Sequence, residues 1–331
     1  MVIVTGATGH IGNVLVRELL AEGAVVRVLV LPDDDERPLA GLNVEIAYGD
    51  ITDPVSLKSA FAGAELVFHL AGIVTIMPSM ASVLERVNVG GMRTVIAACR
   101  ASGVHRLVYT SSIHAMAEPS HGTVIDESQP FDPDRVLGDY ARSKARATLL
   151  LLDEVSKGGL DAVICCPTGV IGPWDYGISN IGQLILDFAS GHMKSYVSGA
   201  YDFVDVRDVA RGLIVAAEKG QSGRHYIFSG TQVHVPELME ELARDIGYPA
   251  PTYRIPTVIA RTAGILASMY YRLLRRKPVF TAYSIDVLRS NSLVSSARAR
   301  EELGFTSRPW QESIRDHVEW FSTEGILPAR R

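Results

Sequence analysis

The chain has 331 residues, 47% hydrophobic and 21% charged, with a formal net charge of −5, so it predicts a globular protein with a large core and room for about two domains. The acidic balance, with no basic block to track a phosphate backbone, argues against a nucleic-acid partner. Cys99, Cys165 and Cys166 sit in apolar segments without metal-ligand spacing, so reduced packing cysteines, no metal and a cytoplasmic location are expected.

The chain opens with MVIVTGATGHIG, in which a β-branched run (Val2, Ile3, Val4) enters Gly6, Gly9 and Gly12. It predicts a buried strand starting at Val2, which leaves no room for a targeting peptide ahead of it. Val14, Leu15, Glu18, Leu19 and Leu20 then recur with helical spacing over a helix from Ile11 to Ala21. The turn between them faces a helix N-terminus, where free N–H groups and the helix dipole favour a pyrophosphate and glycines let the backbone approach it. Gly6, Thr8, Gly9, His10, Ile11 and Gly12 are the expected contacts. A second strand, Val25 to Leu31, runs into the acidic stretch Asp33, Asp34, Asp35, Glu36. An acidic side chain near this strand end suits the ribose 2′-OH of NAD, and an arginine suits the 2′-phosphate of NADP. Leu31 stands at the strand end and Arg37 lies beyond the carboxylates, which also fit a solvated loop. Four negative charges make a poor neighbour for a 2′-phosphate, so NAD is the expected cofactor.

Val44 to Tyr48 is a third strand, followed by Asp50 and Ile51 on a loop placed to reach adenine, and by Asp53 as a helix cap with Pro54 after it. Leu66 to Leu70 is a fourth, and with it Ala71 and Gly72 let a flat ribose-nicotinamide unit lie on the backbone. A long helix then carries Asn88. The fifth strand, Leu107 to Thr110, delivers Ser111 and Ser112 to the same edge. Strand and helix alternating in this way predict an α/β fold with a doubly wound parallel (Rossmann) sheet and a ligand beyond the strand ends. Glu118 to Gly138 reads as a long functional loop, Tyr140 to Val155 as a helix, Leu160 to Cys165 as a strand, and PTGVIGP, from Pro167, as a loop.

After Gly172 the alternation fails. Trp174, Tyr176, Ile178, Ile181, Leu184, Ile185 and Phe188 open a helical stretch, and Tyr201 to Val215 returns to strand and helix. Beyond Gly230 the chain reads as mostly helical, with helices Val235 to Ile246, Thr257 to Leu274, Ala282 to Leu288, Ser295 to Leu303 and Trp310 to Phe321. The expected division is a dinucleotide-binding domain over 1–171 with 203–229, and a smaller, mostly helical substrate-binding lid over 172–202 and 230–331. The apolar segment Ile255 to Tyr271 is broken by Arg261 and closed by Arg272, too short to span a bilayer.

Hydride transfer at a carbinol carbon needs a matching proton transfer at its oxygen, and Ser112, Tyr140 and Lys144 are the expected catalytic set. Tyr140 and Lys144 are four apart and share a helix face. Ionising a tyrosine of ordinary pKa about 10 near neutrality needs about 4 kcal/mol from a nearby positive charge, which a lysine one turn on supplies. His69, His105 and His114 read as packed or solvated, although His114, two past Ser112, could face substrate. Asp205 and Asp208 flank Arg207 and read as capping a helix.

With these residues in view, the chain resembles an extended short-chain dehydrogenase/reductase of the NAD-dependent epimerase/dehydratase superfamily over nearly its whole length. TGATGHIG is similar to that family's cofactor loop, GDITD to its adenine loop, and HLAG to its nicotinamide-side strand end; VYTSSIHAM with YARSK is similar to its Ser, Tyr, Lys set and PTGVIGP to its nicotinamide loop. The resemblance implies that Ser112 rather than Ser111 is catalytic and that Asn88 supports the site. It further implies cofactor contacts from Leu70, Thr110, Tyr140, Lys144 and Pro167, and a backbone contact from Val170 to the carboxamide. The motifs are more similar to dihydroflavonol 4-reductases and 3β-hydroxysteroid dehydrogenases than to sugar-nucleotide epimerases, since Ala115, Met116 and Trp174 replace that group's Val, Tyr and Arg.

The expected function is NAD(P)-dependent interconversion of a ketone and a secondary alcohol on a medium-sized, fairly apolar small molecule, with homodimer formation left open. Two alternatives stand beside it. One is a sugar-nucleotide epimerase or dehydratase; the other is a dinucleotide-sensing regulator, which would not need Ser112, Tyr140 and Lys144. The apolar expectation rests on the lid. Trp174 to Ser198 holds one lysine, Lys194, and no arginine, and the Ile255 helix presents Val258, Ile265, Leu266, Met269 and Tyr270. That helix could equally close the domain core, or lay its Arg272, Arg275, Arg276 and Lys277 end on an anionic surface.

Overall fold

The computed structural model describes residues 1–75, 80–120, 122–191, 193–260, 262 and 291–328. Its main sheet is built from β1 (Val2–Thr5), β2 (Val26–Val30), β3 (Glu45–Tyr48), β4 (Leu66–His69), β5 (Arg106–Thr110), β6 (Ala162–Pro167) and β10 (His225–Phe228). The order is β10-β6-β5-β4-β1-β2-β3, every pair parallel. Parallel strands are covered on both faces, which is why β1 and β6 are near-continuous apolar runs. Cys165 packs with Val4 and Val28 on one face of the sheet, and Cys166 with Ile3 and Leu107 on the other. All three cysteines are free and buried.

Helix α1 (His10–Ala21) packs against α7 (Val206–Lys219) on one face; α4 (Gly91–Ser102) and α5 (Gly138–Ser156) cover the other. The connection reverses direction at β1, which has β2 on one side and β4 on the other. This is the switch point where α/β sheets open a ligand crevice at their C-terminal ends. Two expected caps are present. Asp53 accepts from the N–H groups of Val55 (3.0 Å) and Ser56 (3.2 Å) at the start of α2 (Pro54–Ala60), and Asp205 accepts from Arg207 N (2.8 Å) at the start of α7.

Three expectations are corrected. The helix carrying Asn88 is split into α3 (Ala81–Leu84), a π turn (Glu85–Gly90) and α4; such an insertion is common where a helix serves a site. PTGVIGP is not wholly a loop, because Gly169–Ile171 forms β7, parallel to β9 (Ala200–Asp205), which pairs antiparallel with β11 (Thr231–His234). Gly169 permits this: a Cβ there would lie 2.5 Å from Tyr201 Cε1, so only glycine leaves room for that ring. Beyond Gly230 the described residues are mostly helical as expected, but two strands stand among them, β11 and β12 (Tyr253–Ile255), too short to show alternation. The latter pairs in parallel with β8 (Ser195–Val197).

A third core gathers Ile171 of β7 with Ile185 and Phe188 of α6 (Asn180–Ala189), Leu238 and Leu242 of α8 (Val235–Ile246) and Phe321 of the C-terminal helix Trp310–Thr323. The expected helix Ala282 to Leu288 lies outside the described residues, as do Ile265, Leu266, Met269, Tyr270 and the cationic group Arg272, Arg275, Arg276 and Lys277. Val258 and Ile259, which precede them, are exposed. Among the described residues no helix is long and apolar enough to cross a membrane, and no cluster of metal ligands occurs.

Candidate active site

The turn after β1 has the form of a cradle that side chains would fill. Gly6 has φ +74° and a Cβ there would lie 2.6 Å from Ala71 N; one on Gly12 would lie 2.0 Å from Gly6 O. Neither contact can be relieved without moving backbone, so glycine is what holds α1, the turn and the end of β4 together. Gly9 caps α1 with no side-chain hydrogen bond, which leaves Thr8, Gly9, His10, Ile11 and their neighbours at an open helix N-terminus suited to a pyrophosphate. His10 Nε2 lies 2.9 Å from Pro173 O, and Asn13 Nδ2 donates to Trp174 O (3.1 Å), so the same helix start anchors the chain after β7. Trp174 itself holds φ +64° and lies 5.7 Å from the Arg17 guanidinium.

The acidic stretch folds back on this turn. Thr8 Oγ1 donates to Asp34 Oδ2 (2.6 Å), so Asp34, four residues past the end of β2, is the carboxylate held beside the glycines. Arg37 is engaged by Asp35 through Nε and Nη2 (2.9 and 2.6 Å), and Glu36 accepts from Tyr48 OH (2.7 Å). Asp50 Oδ1 accepts from Thr52 N (2.8 Å) and Oγ1 (2.9 Å) on an exposed loop, while Ile51 is buried against Gly91.

At the end of β4, Leu70 N donates to Thr5 O (3.1 Å) and Ala71 N to Thr5 Oγ1 (3.2 Å). His69, 2.8 Å from that hydroxyl, is held neutral by burial, its pKa pushed down to about 3. Gly72 sits against Asn88 Oδ1. Asn88 clamps both backbone groups of Ile73, accepting from N (2.8 Å) and donating to O (3.1 Å), and donates to Ser143 Oγ (2.9 Å). Ser143 Oγ in turn donates to Tyr140 O (2.8 Å). The π turn thus ties the end of β4 to the turn of α5 that carries Tyr140.

Of the adjacent serines, Ser111 is consumed by a buried bond to Thr148 Oγ1 (2.7 Å), whereas Ser112 Oγ accepts from His114 N (3.2 Å), capping the turn Ile113–Ala115 and keeping its own proton to donate. Tyr140 stands in the first turn of α5. One turn on, Lys144 is buried, donates from Nζ to Thr110 O (2.6 Å) and lies 4.5 Å from the Tyr109 ring centre. Burial pushes its pKa down to about 7. Pro167 ends β6 in the main sheet, and Val170, three residues on, pairs from β7 with Val204 of β9 in the smaller three-stranded sheet.

Ile113 and His114, the residues that follow Ser112, open onto a cavity. Ile113, Met116 and Val136 form part of an apolar wall, and His114, Thr168, Tyr201 and Asp202 a polar one. His114 Nε2 is 2.5 Å from Tyr201 OH, and burial holds the imidazole pKa near 4, so it is neutral. Thr168 Oγ1 donates to Asp202 Oδ1 (2.6 Å). Two signals were available: His114, two residues past Ser112, and Asp202, an acid between Tyr201 and Phe203 inside a strand whose other acid, Asp205, stands at its end.

This geometry agrees with what the chain is similar to. Residues 2–228 match the model of the NAD dependent epimerase/dehydratase family. The sterol demethylase protein B of Methylococcus capsulatus is 37% identical over 98% of this chain and 99% of that protein. A 3β-hydroxysteroid-dehydrogenase/decarboxylase of Arabidopsis thaliana is 28% identical over 97% of this chain and 79% of that protein. The crystal structure of gox2253 superimposes with a TM-score of 0.87 at 31% identity, covering 99% of each chain. Relatives of both the dihydroflavonol 4-reductase and the 3β-hydroxysteroid dehydrogenase kinds are among the matches. The chain belongs to the NAD-dependent epimerase/dehydratase family, as an NAD-dependent dehydrogenase/reductase of the extended short-chain type.

Proposed function

We propose that this enzyme interconverts a ketone and a secondary alcohol on a medium-sized, largely apolar small molecule, using Ser112, Tyr140 and Lys144 as its proton relay. Gly6, Gly9, Gly12, Asp34, Ala71, Gly72 and Val170 would hold NAD, which would supply hydride exchange at the carbinol carbon. Ser112 holds the substrate oxygen with the hydroxyl proton that its contact to His114 N leaves available. Tyr140 exchanges a proton with that oxygen. Lys144, fixed on Thr110 O, favours the tyrosinate by its charge and returns the proton toward solvent. Asn88 keeps Tyr140's turn in register with the cofactor edge through Ser143.

The observation that carries the substrate class is the cavity beside Ser112: its described lining has two carboxylates, Glu118 and Asp202, and neither lysine nor arginine. A second diphosphate would find no cation there, whereas apolar walls with few polar groups suit a lipophilic alcohol. The reading also places the reaction in the cytoplasm, in keeping with three free, buried cysteines, and divides the chain into a cofactor part, 1–171 with 203–229, and a lid. The test is turnover with NAD(H) of steroid and flavonoid-like alcohols and ketones against UDP-, GDP- and dTDP-sugars. Redox turnover of the first panel, lost in Tyr140→Phe, is expected; epimerised or dehydrated sugar nucleotide without net cofactor change would refute it.

A further inference from the structure

Asp202 is 4% exposed, and its two oxygens are treated differently. Oδ1 accepts from Thr168 Oγ1 (2.6 Å) and from Gly230 N (2.9 Å), which fixes the carboxyl between β9 and the residues following β6 and β10. Among the described residues nothing donates to Oδ2, and the side chain lines the cavity beside Ser112. Oδ2 is not among the fully enclosed unpartnered side-chain atoms, so it opens on the cavity, where a carboxylate oxygen takes its donor from whatever fills that space. A purely structural link between Thr168 and Gly230 could be made equally well by a neutral amide oxygen. Nearby groups do not neutralise the acid: the cavity's described lining has no cation, His114 is neutral, and Glu118 already accepts from Asn291 N.

Resting on the reductase reading above, we infer that Asp202 is a specificity-determining residue whose free oxygen accepts a hydrogen bond from a second donor on the substrate, a hydroxyl or amine separate from the reacting carbinol. Burial raises the Asp202 pKa to about 6, so near neutral pH the group is still mainly the acceptor form. The preferred substrate is then an apolar skeleton bearing two hydroxyls or an amino alcohol. A skeleton with a carbonyl at the second position is disfavoured, because two acceptors would meet in a buried site.

The probes are 5α-androstan-3β-ol and its 17β-hydroxy, 17-keto, 7β-hydroxy and 7-keto derivatives, which set the second oxygen far from or near to the reacting one. Dissociation constants are measured on NAD-loaded protein carrying Tyr140→Phe, and kcat/KM on protein with Tyr140 intact. The expected result is that, at one of the two positions, hydroxyl binds better than ketone by at least about tenfold. Asp202→Asn retains an oxygen for Thr168 and Gly230 and places an amide donor at the free position, so it should invert that order. A purely structural Asp202 would weaken every probe by the same factor. Ketone equal to or better than hydroxyl at both positions in the unsubstituted site, an unchanged order in Asp202→Asn, or no binding of any probe would each overturn the inference. The first of these needs no Asp202 variant to fold. The two readings also separate: binding in the expected order without turnover would leave Asp202 standing and sink the reductase reading, and turnover without the order would do the reverse.

Discussion

Replacing Lys144 by methionine should abolish turnover and yet stabilise the ligand-free protein, by an amount that depends on pH. Lys144 is 6% exposed, and its ammonium has Thr110 O at 2.6 Å and the Tyr109 ring at 4.5 Å as compensation. Burial lowers its pKa from 10.5 to about 7. Between those values the unfolded chain binds a proton that the folded chain does not, so stability rises with pH across that window and is lowest below pH 7. At ~1.36 kcal/mol per pH unit, the difference amounts to about 5 kcal/mol of destabilisation below pH 7. Lys144→Met removes that penalty but leaves Thr110 O without its donor, which costs about 1–3 kcal/mol. The variant should therefore be more stable than the parent by roughly 2–4 kcal/mol at pH 6, and the gain should vanish above about pH 10. Thermal or urea unfolding at pH 6 and pH 10 measures both limits. A variant less stable than the parent at pH 6, or stabilised equally at both values, would refute the reasoning that the lysine is held in place at the expense of stability.

Gly12→Ala sets a Cβ 2.0 Å from Gly6 O; NADH affinity by fluorescence titration should fall at least about a hundredfold as α1 is pushed off the turn, and unchanged affinity would remove the cradle. Asn88→Ala leaves Ile73 and Ser143 without three hydrogen bonds and should cost about 3 kcal/mol in urea unfolding, with kcat falling more than NADH affinity; a loss under about 1 kcal/mol would show the clamp to be incidental. NADH should bind more tightly than NADPH, since Asp34 is held beside the glycine turn and Arg37 is engaged by Asp35. Leu31→Arg with Asp34→Ala should narrow that preference by about tenfold or more, and tighter NADPH binding by the parent would reverse the assignment.

Much of the cofactor half could be read from the chain because its signals are local. A strand buried on both faces must be a continuous apolar run, and the turn that follows it must be glycine where a Cβ would strike backbone, as at Gly6 and Gly12. The placement of Tyr140 and Lys144 one turn apart on a single helix is legible for the same reason. The acidic loop was half legible. Spacing alone puts Asp34 too far past β2 to matter, and only the reversal of the loop, closed by Thr8, returns it to the turn. Choosing between Ser111 and Ser112 needed the family resemblance, because Ser111 is spoken for by Thr148, 37 residues away, and nothing in the local pattern pairs them.

The cavity hides for a physical reason. It is walled by residues from 113–118, 125, 136–137, 168, 201–202 and 291–294, segments far apart in the chain that meet only once the fold is assembled. Each wall residue has an adequate local explanation: His114 belongs to a turn, Tyr201 and Asp202 to a short strand, Thr168 to the end of another. What makes Asp202 informative is a joint property, one oxygen fixed by Thr168 and Gly230 and the other facing the cavity, and no periodicity encodes it. The same division bears on how such enzymes diverge. On the reading proposed above, changes at the glycine turn would collide with backbone and changes at Lys144 with the proton relay, whereas changes at wall positions would bear mainly on which molecule fits. Specificity can therefore vary at positions such as Asp202 while the cofactor half stays recognisable.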